Sequence, residues 1–319
     1  MIGNLSATVS ATDRKVVLVT RRTRLEELVA RHHTLAQAKF YVEHLGADFG
    51  DYLAENSAYA EALALTVRAL QACGRYQLVD RSYLLNFMFA PDDIVVALGQ
   101  DGLVANTMKY LQGQPLIGLN PEPARWEGLL LPFKPIDLRA VLDDVTRGKR
   151  PIQSVTMAEA VMSDGQTMRA VNDLFIGPRT HTSASYELSV NGHAEKQSSS
   201  GVIVSTGLGS TAWLKSIVTG SQSISMARQH SKQPPSLYES LAWNAEQLVY
   251  AVREPFPAKG CGTALVYGQF GREEPLRMRS LMPEHGVIFS DGIEADFLRF
   301  TAGLEVRIGI ADVAGQVVT

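Results

Sequence analysis

The chain has 319 residues, room for two domains of ordinary size, and its 45% apolar and 20% charged residues allow real cores and exclude a disordered chain. A formal net charge of −3 argues against a protein that lives on nucleic acid or an anionic membrane. No apolar run reaches the about eighteen residues of a membrane span, the N-terminal stretch has no signal-peptide core, and two cysteines in different halves, Cys73 and Cys261, without a CxxC suggest neither a zinc site nor a disulfide framework, so a reducing, cytoplasmic setting is expected.

The first half alternates strand and helix patterns. Val16 to Val19 reads as a strand that leads into Thr20-Arg21-Arg22-Thr23-Arg24 and then a helix, where Thr23 with Glu26 fits a capping box and Leu25, Leu28, Val29 and His32 share a face. Arg21, Arg22 and Arg24, beside a helix N-terminus after a strand, suit a polyphosphate; a solvated basic loop is the plainer reading. His32 and His33 have no partner at metal-ligand spacing. Further helices are expected over Leu35 to Leu45 and Ser57 to Cys73, and a short strand over Tyr76 to Val79.

Ile94 to Leu98, five apolar residues of which three are β-branched, reads as a buried strand running into Gly99-Gln100-Asp101-Gly102. Glycines flanking a carboxylate at a strand's carboxyl end make a tight turn; glycine takes positive φ cheaply and lets a phosphate approach the backbone. Leu103, Val104, Met108 and Leu111 then share a helix face. Asp101 thus sits where open α/β sheets bind ligands, although an ordinary β-to-α turn reads equally well from this stretch alone. A strand at Leu116 to Leu119 follows, so a parallel sheet covered on both faces is expected.

Asn120-Pro121-Glu122-Pro123 is a rigid turn, Ile136 to Arg147 a helix, and prolines at 132, 135 and 151 mark a change of composition. The domain boundary is placed near 150: an α/β nucleotide-binding domain over 1–150 and a β-rich domain over 151–319 with a helical insertion near 236–250. Strands are expected at Ala170 to Ile176, Ala184 to Val190, Val202 to Val204, Thr263 to Tyr267, Leu276 to Leu281, Gly286 to Phe289 and Leu304 to Ile310, many alternating as a half-buried antiparallel sheet does. The insertion rests on a Ser236–Glu239 capping box and a stripe of Leu237, Leu241, Ala245 and Leu248; the polar stretch Ser216 to Pro235 before it reads as a loop.

Two stretches of the second half hold polar groups that ask for a partner. Asn172-Asp173 lies in the apolar run AVNDLFI, where at least one of the two is buried unless they form a strand-end Asx turn. Val202 to Val204 empties into Ser205-Thr206-Gly207-Leu208-Gly209-Ser210-Thr211, four hydroxyls and two glycines that form a cradle for ribose, phosphate or amide groups, with Ala212-Trp213 setting an aromatic face beside a planar base. Taken alone, a Ser/Gly loop is more often only a loop and a Trp more often core.

The ordered set of the Gly-Asp-Gly turn, the Asn-Asp pair and STGLGSTAW resembles the ATP-dependent NAD kinases, which carry GGDG, an Asn-Glu or Asn-Asp pair and a stretch like STPTGSTAY. LNPEPARWEGLLLP, YELSVNG with EKQSSSG, VREP and the Arg-rich loop are similar to segments of the branch containing the mitochondrial NAD kinase of animals, and the resemblance covers roughly residues 16 to 310. It implies a Rossmann-like α/β domain, a C-terminal β-rich, β-sandwich-like domain, and NAD held at the cleft between them for phosphorylation of the adenosine 2′-hydroxyl. By position, Asp101 is implied as the general base. Gly102, Asn172, Asp173, Ser205, Thr206, Gly209, Ser210, Thr211, Ala212 and Trp213 are implied on the NAD side. Gly99, Gln100, Arg21, Arg22, Arg24 and Asn120 fall on the phosphate side. Asp291-Gly292 resembles the family's late Asp-Gly turn. ATP with Mg²⁺, NAD or NADH, and a homodimer are the implied partners, with no protein metal site. Departures are Gln100 for the second glycine of GGDG, Leu103 for the usual threonine, and Gly207-Leu208 for Pro-Thr. A sugar or lipid kinase on the same scaffold, or a catalytically weak dinucleotide sensor, is the alternative.

Overall fold

The computed structural model describes residues 12–229 and 238–319. It divides the chain into two compact units, Met1–Gln153 with Gln316–Thr319, and Ser154–Gly315.

The first unit runs β1 (Thr12–Thr20), α1 (Arg24–His32), α2 (Leu35–His44), α3 (Phe49–Cys73), β2 (Gly74–Asp80), β3 (Ile94–Leu98), α4 (Asp101–Met108), β4 (Pro115–Leu119), α5 (Leu138–Thr146) and β5 (Ile152–Val155). All five residues of β3 are buried, as its continuous apolar run requires of a strand covered on both faces. Tyr59, Ala62 and Leu70 of α3 with Leu138, Val141 and Leu142 of α5 pack on Val16, Leu18, Ile94, Val96 and Ile117 of the sheet. The capping box that starts α1 is present: Thr23 Oγ1 accepts from the Glu26 N–H, and the Glu26 carboxylate accepts from the Thr23 N–H. α3 begins eight residues before the predicted start, at an N-cap Asp48 whose carboxylate accepts from the Gly50 N–H.

The second unit runs β6 (Ala158–Met162), β7 (Thr167–Ala170), β8 (Asp173–Pro178), β9 (Ala184–Val190), β10 (His193–Ser199), β11 (Val202–Ser205), α6 (Trp213–Gln229), β12 (Gln247–Val252), β13 (Tyr267–Gly271), β14 (Leu276–Ser280), β15 (Gly286–Ser290), β16 (Phe297–Arg299) and β17 (Glu305–Ile310), after which β18 (Gly315–Val318) returns to the first sheet. That sheet has the order β2-β1-β3-β4-β18-β5, with β2, β1, β3, β4 and β18 paired in parallel. The other two sheets, β10-β9-β14-β17-β6-β7 and β13-β12-β11-β8-β15-β16, pair antiparallel. Tyr186, Leu188, Met278 and Ile308 of the first of these meet Leu174, Ile176, Val204, Leu248 and Ile288 of the second in one core, which makes a β-sandwich. The far face of the second sheet packs Val249 and Ala251 under Leu214 and Ile217 of α6.

Three predicted elements of the second half are corrected. The polar stretch after Trp213 is helix to Gln229, not loop; among its residues only Leu214 is fully buried, so its apolar stripe is too thin to read. The predicted helical insertion is absent where it is described: Leu248 lies in strand β12 and in the sandwich core, and Leu241 packs beneath α6, because a Leu/Ala spacing of four also fits a turn followed by a strand. Ser236 and Leu237 of that prediction lie outside the described residues. The strand predicted over Thr263 to Tyr267 instead starts at Tyr267.

A Cβ at Gly118 in β4 would fall 1.9 Å from the Leu130 carbonyl oxygen. Gly118→Ala is therefore expected to destabilise the first unit by about 1–3 kcal/mol through overpacking. Thermal unfolding checks this; an unchanged midpoint would show that the Leu130 segment gives way freely.

Candidate functional site

β3 ends at Leu98, Gly99 and Gln100 make the connection, and α4 begins at Asp101. Gln100 occupies the N-cap without a side-chain capping bond, and the Asp101 carboxylate lies in the helix's first turn, where the backbone dipole favours negative charge. Asp101 is half-buried. Its Oδ1 accepts the Leu130 N–H at 2.6 Å, while its Oδ2 accepts no hydrogen bond among the described residues. One oxygen is thus anchored and the other is open to a ligand's proton. The two glycines act otherwise than expected, since neither takes a positive φ. Gly99 is closely approached by side chains: a Cβ there would lie 2.9 Å from Leu103 Cδ2 and 3.5 Å from Arg21 Cδ. At Gly102 nothing lies within 4 Å.

The arginine loop is not a free cationic patch. Arg21 is buried against Glu55 at 2.9 Å, with its guanidinium 5.1 Å from the Tyr59 ring. Arg24 pairs with the same Glu55 and with Asp51 at 2.8 Å, and Arg125 joins Asp51 at 2.6 Å to Glu122 at 2.9 Å. Burial works to raise the Glu55 carboxyl, and hydrogen bonds from Arg24 and Arg21 outweigh it, so its pKa is lowered. In the ligand-free chain Arg21 and Arg24 thus already carry carboxylate partners. Arg22 is exposed, and its guanidinium has no partner among the described residues. Asn120 is engaged likewise: Nδ2 donates to the Trp126 carbonyl and Oδ1 accepts the Glu122 N–H, both at 3.0 Å, so its amide holds its own turn.

In the second unit the predicted continuous strand breaks at Val171 and Asn172, between β7 and β8. The cause is Asp291. Its side chain accepts the N–H groups of Val171 at 3.1 Å, Asn172 at 2.6 Å and Asp173 at 3.3 Å, and its own N–H donates to the Asp173 carbonyl at 2.9 Å. Asp291 holds the left-handed φ of 54° that this turn needs, a conformation Asp tolerates. Leu174 and Ile176 face the sandwich core, so Asp173 and Phe175 point to the opposite face of the sheet, the one that carries α6. Asp173 is buried, and its Oδ1 has no hydrogen-bond partner among the described residues. Burial pushes its carboxyl up to about 7, opposed by the hydroxyl of Ser205, its cross-strand neighbour, and reinforced by the nearby Asp291 carboxylate. Asn172 is half-buried and its side-chain amide makes no hydrogen bond among the described residues.

The hydroxyl cradle is largely taken up by its own loop. Thr206 Oγ1 donates to the Val171 carbonyl at 2.6 Å, Ser210 Oγ to the Gly207 carbonyl at 2.6 Å, and Thr211 Oγ1 to the Leu208 carbonyl at 3.1 Å. Gly207 and Gly209 allow backbone contact, since Cβ atoms would sit 1.9 Å from the Ala242 oxygen and 2.1 Å from the Asn172 oxygen. Ser205, beside Asp173, is fully buried, and its Oγ donates to the Thr206 carbonyl at 3.4 Å. Ala212 is exposed, and Trp213 opens α6 stacked on Phe175, ring centroids 5.9 Å apart and 14° between planes. Sequence reasoning assigned Asp291 no role of its own, because its partners lie about 120 residues away and leave no local pattern.

No protein-family model matches the chain. It is 25% identical to the mitochondrial NAD kinase 2 of Xenopus tropicalis over 76% of each chain, and 27% identical to the human mitochondrial NAD kinase 2 over 51% of this chain and 52% of that one. It is 32% identical to the NAD kinase of Acinetobacter baylyi over 38% of this chain and 41% of that one. The fold is that of solved NAD kinases: an Archaeoglobus fulgidus NAD kinase in complex with ATP (TM-score 0.56, 14% identity, 96% of this chain and 93% of that one) and a yeast NADH kinase complexed with NADH (TM-score 0.55, 13% identity, 96% and 83%). The sequence resemblance to NAD kinases, including the animal mitochondrial branch, therefore stands.

Asp173 generates a prediction of pH dependence. Its folded-state pKa of about 7 lies above the ordinary 3.8, so the stability contributed by the neutral carboxyl is complete below about pH 4 and is lost as pH rises through about 7. Stability of the ligand-free protein is expected to fall across that window, and Asp173→Asn to flatten the slope. Denaturant unfolding at stepped pH checks it; the same slope in both proteins would remove Asp173 as the titrating group.

Proposed function

We propose that the protein is an NAD(H) kinase, moving the γ-phosphate of ATP to the 2′-hydroxyl of the adenosine ribose of NAD or NADH. The observation that carries the mechanism is Asp101, one oxygen fixed by a backbone N–H and the other open, at the carboxyl end of a parallel strand. Phosphoryl transfer asks the protein for positioning and one proton acceptor rather than covalent chemistry. Asp101 Oδ2 takes the proton of the 2′-hydroxyl as the new O–P bond forms and the bond to ADP breaks. Asp173, with its unpartnered oxygen, holds the acceptor nucleoside together with Asn172. A neutral Asp173 carboxyl both donates and accepts, as a hydroxyl or a base edge requires. Arg22 serves the donor phosphates.

Mg²⁺ is proposed to arrive on ATP and to neutralise phosphate charge. A cation that arrives this way keeps most of its ligands from the substrate phosphates and water. A cytoplasmic homodimer is the proposed setting, with Cys73 and Cys261 both free thiols.

The test incubates the protein with Mg-ATP and either NAD or NADH and identifies the product by mass. NADP or NADPH is expected; no phosphorylated dinucleotide refutes the reading. Asp101→Asn keeps the shape and removes the basicity, so kcat is expected to fall at least about 10²-fold, while dinucleotide affinity changes by less than about tenfold. Normal turnover in this variant would show that Asp101 is not the base.

A further inference from the structure

Asp101 owes its fixed oxygen to the Leu130 N–H at 2.6 Å, and that donor sits in the loop that follows β4. Strands β3 and β4 are parallel neighbours, with Leu98 paired to Leu119, so this loop leaves the sheet beside the turn that carries Asp101. Asn120 organises the loop. Its side chain is buried, with the residue only 4% exposed. Its Oδ1 accepts the Glu122 N–H and its Nδ2 donates to the Trp126 carbonyl, so one amide closes the loop at both ends. The same Nδ2 lies against Gly128, where a Cβ would stand 2.7 Å from it and where the backbone takes a φ of 66°. Gly128 opens the turn that presents the donor: its carbonyl accepts the Leu131 N–H at 3.0 Å, with Leu130 between them. On the other side the Leu130 carbonyl packs against Gly118 of β4. The turn is thus seated between a strand and the Asn120 amide, and contact runs from Asn120 through Gly128 and Leu130 to Asp101.

Resting on the reading of Asp101 as the base, we propose that Asn120 is a positioning residue for the transfer: its amide sets the loop so that the Leu130 N–H holds the Asp101 carboxylate in place. It acts through Asp101 and not on the substrates. Misplacing a reacting group by about 1 Å can lower a rate about 10²-fold, so the hold has a catalytic consequence.

Steady-state turnover with Mg-ATP and NAD tests the role. Asn120→Ala is expected to lower kcat at least about tenfold and to leave both KM values nearly unchanged. In the Asp101→Asn background the same substitution is expected to cost nothing further, because the two residues act as a unit. Gly128→Ala crowds the amide from the other side and is expected to reproduce the kcat loss, with thermal unfolding establishing that the variants fold. Additive losses, or a raised KM for ATP at unchanged kcat, would overturn the proposal; the second outcome would seat Asn120 on the donor phosphates. Hydrogen exchange of the ligand-free protein, read by NMR, separates this role from the activity. The Leu130 amide is expected to exchange at least about tenfold faster in Asn120→Ala, relative to the amides of β3. Unchanged exchange would overturn the proposal. Faster exchange together with normal turnover in Asp101→Asn would refute Asp101 as the base and leave the hold of Asn120 on the Leu130 N–H standing.

Discussion

The polar centre of the second unit depends on a single carboxylate that collects three consecutive peptide N–H groups. Charge-assisted hydrogen bonds to backbone donors are among the stronger ones, and those to Asp291 reach residues that no secondary structure would otherwise satisfy. The clamp interrupts a strand, turns the chain, and delivers Asp173 to the sheet face away from the sandwich core. It also fixes the electrostatics. The Asp173 carboxyl buried beside it is driven toward neutrality by burial first and then by the neighbouring Asp291 carboxylate.

Asp101 is handled in the opposite manner. It is half-buried, placed by the start of a helix, and tied at one oxygen to the Leu130 N–H. Its position follows from backbone, with Gly99 admitting Leu103 and Arg21 closely enough for the helix to begin at once. The arginines that precede the first helix belong to a different task. Arg21 is buried with Glu55 as its counter-charge, and removing one member of such a pair leaves an uncompensated charge. The chain Arg21–Glu55–Arg24–Asp51–Arg125–Glu122 binds the first helix, the third helix and the loop after β4 into one network.

What the sequence made legible was what periodicity and ordered motifs encode. The buried run Ile94 to Leu98, the Thr23 capping box and the alternation of Tyr186, Leu188 and Val190 each report a local rule that the fold obeys. The order of the Gly-Asp-Gly turn, the Asn-Asp pair and STGLGSTAW carried the family resemblance. Long-range partnership was not legible. Nothing near Thr206, Ser210 or Asn120 announces that Thr206 donates to the Val171 carbonyl 35 residues earlier, or that Ser210 and Asn120 are satisfied within their own loops. Nothing near Arg24 announces Glu55. The helix after Trp213 escaped because its buried stripe is nearly limited to Leu214, and the false helix after it because Leu248 serves a sheet with a spacing that also suits a turn of helix.

The return of β18 to the first sheet bears on how the chain is made. The strand lies between β4 and β5, yet it is encoded after the whole second unit. During synthesis the first unit can collect its helices on β1, β3 and β4, but one side of β4 stays without its ladder partner until β18, encoded beyond the second unit, has emerged. A nascent sheet with an open, apolar, parallel edge is a substrate for mispairing and for chaperones. The order of the elements thus delays completion of the first unit until the second has been synthesised, a lag set by the length of the second.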